Sequence, residues 1–146
     1  MITENNVIYY AKIDQNGEII VPKTSVIGES ENILIRKEDY LTFSIYDLIE
    51  YKKILEKLKH ESEMALSCGN IKRKEFFDEY IKELSFSVLD VIRKDSSNKV
   101  LIPNCVKDMY DIEDRVLVCD GIDHINVFKN DENKKEYEKR LINIFK

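Results

Sequence analysis

Asp14-Gln15-Asn16-Gly17-Glu18-Ile19-Ile20-Val21-Pro22 returns 81 residues later as Asp95-Ser96-Ser97-Asn98-Lys99-Val100-Leu101-Ile102-Pro103. Both stretches run Asp, three small or polar residues, a charged residue, three aliphatics and Pro. Each copy reads locally as a turn, a strand and a stop. Gly17 and Asn98 tolerate positive φ, so Asp-x-x-Gly and Asp-x-x-Asn each supply a tight turn. The three aliphatics form a short strand, and Pro ends it because it cannot donate to a ladder. The period is too long for a solenoid and marks a duplicated module.

Working outward, the rest of each copy repeats as well. A β-rich run leads in: Val7-Ile8-Tyr9-Tyr10 in copy one, Phe86-Ser87-Val88-Leu89 in copy two. Pro suits the first turn of a helix, so Lys23–Ile27 and Asn104–Tyr110 are expected to be short helical turns. Strands are then expected at Asn32–Arg36 and Leu41–Tyr46, and again at Arg115–Cys119 and His124–Phe128. Three longer helices follow from periodicity and capping. The first starts at Asp47, with Glu50 in capping-box position, and runs to about Met64. The second covers about 71–84, set off by the C-cap signal Cys68-Gly69-Asn70. The third starts at Asn130 or Asp131. The expectation is one domain over 1–146, made of two repeats (about 7–64 and 85–146) joined by the helix at 71–84.

Composition narrows the class. Of 146 residues, 43% are hydrophobic and 35% charged, which is globular rather than disordered. Three cysteines, Cys68, Cys105 and Cys119, give no disulfide framework. No signal peptide or membrane span is legible, so a cytoplasmic protein is expected. The net charge of −5 is uneven. Residues 1–50 carry four basic and nine acidic side chains, residues 51–94 ten and eight, and residues 95–146 nine and eleven. General nucleic-acid binders are usually basic, and the first third of this chain is distinctly acidic.

The doubled Asp-x-x-x-(charged)-aliphatic-Pro element, with helices after each copy, resembles the MraZ family of AbrB-like transcription regulators over about residues 7–146. The resemblance implies an α+β fold: two interleaved halves forming a swapped-hairpin β-barrel flanked by helices. It also implies a ring-forming bacterial homo-oligomer that binds DNA upstream of genes it regulates. In that family an Arg of the Asp-x-x-x-Arg element faces DNA. Here its places are taken by Glu18 and Lys99. A basic residue is favoured shortly after Pro; Lys107 fills that role in copy two, whereas Val26 stands there in copy one and Lys23 is the nearest base. A carboxylate repels phosphate, and Lys lacks the bidentate fork of Arg. The expected DNA contacts are therefore Lys99, Lys107 and Lys23, weighted toward copy two, with Asp14, Glu18 and Asp95 as motif positions.

A second expectation belongs to another class. The same scaffold, with its acidic face, would sequester a basic transcription factor such as a sigma factor. Other readings are weaker. Asp14 and Asp95 suit turn hydrogen bonding better than acid catalysis. Cys119, Asp120, Asp123 and His124 are close in sequence, but no C-x-x-C or second histidine accompanies them, so no metal is expected. No G-x-S-x-G, P-loop, G-x-G-x-x-G or H-E-x-x-H is present, and neither enzymatic activity nor a cofactor is expected.

Overall fold

The computed structural model describes residues 7–94 and 98–144. In chain order the elements are β1 (Val7–Lys12), β2 (Glu18–Ile20), β3 (Asn32–Lys37), β4 (Thr42–Asp47), α1 (Leu48–Ser67), α2 (Ile71–Phe86), β5 (Val88–Arg93), β6 (Lys99–Leu101), α3 (Asn104–Met109), β7 (Arg115–Asp120), β8 (His124–Phe128) and α4 (Asp131–Ile144). The fold is mixed α+β. Six strands form one antiparallel sheet in the order β1-β7-β8-β4-β3-β5, and β2 and β6 pair as a separate two-stranded ribbon. No pairing between β1 and β5 closes the sheet among the described residues.

The two copies are interleaved strand by strand. Tyr9 of β1 lies opposite Val118 of β7, and Asp90 of β5 lies opposite Ile35 of β3. Each copy's first strand thus pairs with the other copy's third. At the centre, β4 pairs with β8 through Ile45 and Ile125. Hydrogen bonds outside the ladders repeat the relation. Ile13 N–H donates to the Asp114 carbonyl (2.8 Å) and Lys94 N–H to the Glu31 carbonyl (2.6 Å). Val21 N–H donates to Asn98 and Ile102 N–H to Gly17, each at 2.9 Å. The pseudo-dyad passes between Ile19 and Val100, which face each other in the ribbon.

One core serves sheet and ribbon together. Ile19, Val100, Ile33, Ile35, Phe43, Ile45, Val116, Val118, Ile125 and Val127 are all fully buried in it. Alternation produces this: Ile19 and Val100 point inward while their strand neighbours face out. Burying such a side chain contributes about 1.5–3 kcal/mol.

The three longer helices form at capped starts. Asp47 accepts the Glu50 N–H (3.0 Å), Asn70 the Arg73 N–H (3.1 Å) and Asn130 the Asn133 N–H (2.9 Å). Gly69, at φ 74°, makes the reversal between α1 and α2. α2 is more than a connector: it packs antiparallel on α1, with the Tyr51 hydroxyl donating to the Leu84 carbonyl (2.7 Å) and the Ser62 hydroxyl to Asp78 (2.5 Å). Tyr46, Leu34, Tyr51 and Leu84 bury a second small core beneath this hairpin. Among the described residues, no helix is long and apolar enough to cross a membrane.

Two local expectations are corrected. The lead-in strand of copy two begins at Val88, not Phe86, because α2 runs on through Phe86 and Ser87 caps it. The Ser87 hydroxyl donates to Leu84 and accepts from Arg36 Nε (2.7 Å), so residue 87 is committed to the helix end. Lys23–Ile27 is a chain of turns rather than a helix. Its bonds are of the short i to i+3 kind, from Ser25 N–H to Pro22 and from Gly28 N–H to Ser25. At the end of these turns the Gly28 carbonyl accepts from the buried Lys94 ammonium (2.8 Å). The matching segment in copy two forms α3.

Candidate functional site

The Asp14 turn builds the outer end of the ribbon. One carboxylate oxygen of Asp14 accepts the Asn16 N–H (2.8 Å) and the Glu18 N–H (3.0 Å). Gly17 sits at φ 80°, where a side chain would be strained. The Glu18 N–H bond foremost, then the Asn16 N–H and the nearby Lys99 charge, hold the Asp14 carboxyl below its ordinary range. Asp14 therefore orders the turn. Its counterpart, Asp95, lies outside the described residues.

The ribbon carries the two motif charges on the same outward face. Glu18 lies opposite Leu101 and Lys99 opposite Ile20. Ile20 is 63% exposed and Leu101 is also exposed, so this face alternates charge with bare aliphatic surface. Lys107 comes from α3 of copy two, yet its ammonium reaches the Gly17 turn of copy one: a Cβ added at Gly17 would stand 3.6 Å from Lys107 Nζ. The structure thus gathers Asp14, Gly17, Lys99 and Lys107 around one turn. Lys23 goes elsewhere. It lines a shallow hollow with Glu29, Asp47 and Glu50, where its charge faces acids.

The Cys119–His124 segment divides its polar groups among separate tasks. His124 Nδ1 lies 2.6 Å from Asp123 and its ring stacks on Tyr46 at 4.6 Å. Burial pushes the Cys119 thiol up to about 11, which leaves it protonated at neutral pH. Asp120 turns inward and accepts the Val26 N–H (3.2 Å).

Two buried polar groups, Lys94 and Arg36, escaped the sequence reading, and a third, Asp120, was grouped there with its sequence neighbours. Lys94 is 4% exposed and clamps the loop of the other copy. Its dyad-related residue is Ile13, so a base in an apolar slot of the repeat was the available signal. Asp120 is buried at the end of β7, and its partner Val26 is 94 residues away, a distance no motif spans. Arg36 is buried and joins Glu38 (2.7 Å), which accepts the Ser44 hydroxyl (2.6 Å), and Ser44 reaches Asn126 (3.0 Å). That chain of polar contacts holds the central β4–β8 pair in register. No family model matches this chain, and no curated protein matches it.

Proposed function

We propose that the chain is a divergent MraZ/AbrB-like DNA-binding transcriptional regulator, cytoplasmic and homo-oligomeric, on a swapped-hairpin barrel scaffold. The observation that carries the reading is the interleaving of the two copies about Ile19 and Val100, which sets Lys99 and Lys107 beside the Asp14–Gly17 turn. Phosphate neutralisation supplies most of the affinity of such proteins. The two lysines concentrate that capacity in copy two, while Glu18 withholds it in copy one. The complex would be lopsided, anchored from one half of the pseudo-dyad. Its role is recognition rather than catalysis.

The second reading is a protein-binding module that sequesters a basic transcription factor. It is favoured by the exposed Ile20 and Leu101 set between Glu18 and Lys99, a face whose bare aliphatic surface suits a protein partner better than phosphate. Titration against the DNA upstream of its own gene, at two salt concentrations, separates the readings. The first predicts saturable binding that weakens steeply with salt and is lost in Lys99→Glu. Absence of binding to both genomic and random DNA at low salt refutes it. The second then predicts that Glu18→Arg weakens capture of a basic partner.

A further inference from the structure

Asp120 floors a hollow of about 290 Å³ walled by Val7, Pro22, Thr24, Val26 and Ile122. The residue is only 6% exposed, and one carboxylate oxygen accepts the Val26 N–H. Among the described residues it forms no ion pair. On its other side lies a second hollow containing Lys134, and that ammonium pairs with Glu138 (3.2 Å). A carboxylate buried this deeply is costly unless paired, and one backbone N–H leaves most of its acceptor capacity open. The nearby Tyr9 hydroxyl is buried and has no hydrogen-bond partner among the described residues. Burial first, and the Asp120 charge second, push the Tyr9 phenol up, so it stays neutral beside the acid. The dyad-related position in β3 is Lys37, which is exposed, so an inward acid is no requirement of the fold.

We propose that this hollow binds an aliphatic cation: the ammonium or guanidinium of a lysine or arginine side chain presented by a basic protein, or a free diamine of the same chemistry. Its volume is at the lower end for ligand pockets and fits one side-chain-sized group. The cationic head completes the coordination of Asp120 by charge-assisted hydrogen bonds. The methylene stem lies along Val7 and Ile122, both exposed at the mouth, the latter by 77%. The proposal uses none of the residues assigned to DNA and stands or falls independently of that reading.

The test is an amide chemical-shift titration of the full chain, followed at Val26, Gly121 and Ile122. The probes are butylguanidinium, 1,4-diaminobutane, an alanine-rich peptide with a single arginine, and butylurea as the neutral isostere. Saturable shifts with the cations and none with butylurea are expected. Asp120→Asn should weaken cation binding roughly tenfold or more. Ile122→Ser, at a surface position that does not endanger folding, should weaken it by about threefold. Tighter binding of the peptide than of the diamine assigns the site to a protein ligand, and the reverse order assigns it to free diamines. The proposal is overturned if the cations give no saturable shift, if butylurea gives the same response, or if folded Asp120→Asn binds as wild type does. Should Asp120→Asn not fold, the comparison with butylurea and the Ile122→Ser affinity decide the matter alone.

Discussion

The Lys94 ammonium donates to the Gly28 carbonyl at 2.8 Å, tying the first residue after β5 to a loop of the other copy 66 positions earlier. Removing it leaves that buried carbonyl without its donor and opens space at a 4% exposed site. Lys94→Ala should therefore destabilise the chain by about 2 kcal/mol in urea unfolding. Amides of Val26 to Ser30 should lose exchange protection before the rest of the core. Retention of full stability would show that the clamp is dispensable.

The Tyr51 hydroxyl joins α1 to the last turn of α2 through the Leu84 carbonyl at 2.7 Å. Tyr51 is fully buried, and its ring meets Tyr46 edge-on at 4.8 Å. Tyr51→Phe keeps the ring and removes only the donor. A loss of about 1–2 kcal/mol is expected, with the unfolding slope unchanged.

Gly17 adopts φ 80°, and an added Cβ would be in ordinary contact with Leu101 and Lys107. The backbone, not the space, sets the cost. Gly17→Ala should destabilise by about 1 kcal/mol, whereas Gly17→Asn, copying the residue at position 98, should lose less. Thermal melts of the two variants side by side check the order.

Asp14 is held below its ordinary carboxyl range, chiefly by the Glu18 N–H. A depressed folded value means that the unfolded chain binds the proton first as acid is added. Asp14 thus contributes stability above the normal aspartate range near pH 4, and that contribution fades as pH falls through the lowered folded value. Asp14→Asn should flatten the acid limb of the melting temperature between pH 5 and about 2. An unchanged acid limb would contradict the assignment.

Lys107 leans over the Gly17 turn without being part of a ladder. On the DNA-binding reading, Lys107→Ala should weaken binding similarly across sequences and reduce the salt slope by about one. A sequence-selective loss would instead mark Lys107 as a base reader.

Much of the fold was legible because its signals are local. The turn begun by Asp14, the caps at Asp47 and Asn70 and the stop at Pro22 each act within a few residues, and the repeat showed which segments are kin. Failures fell mostly where a distant group decides. Ser87 ends α2 while accepting from Arg36, 51 residues away, so Phe86 and Ser87 belong to the helix end and only Val88 and Leu89 to the expected strand. Lys23–Ile27 closes short turns where a helix was expected. At the candidate site, the convergence of Lys99 on the Asp14 turn was implied by the repeat, but the reach of Lys107 across copies was not. Asp120 was read with its sequence neighbours, whereas its geometry is set by Val26.

Because β1 finds its ladder only on β7, and β5 only on β3, neither half of the chain owns a complete sheet. A single ancestral copy with this pairing could close its ladders only by associating with another like itself. Joining two such copies in one chain removes the need for them to match: Ile13 is apolar where its counterpart is Lys94, and Lys37 and Asp120 carry opposite signs. It also implies that peptides severed at Gly69 would each be half-built alone and would recover the sheet only on mixing.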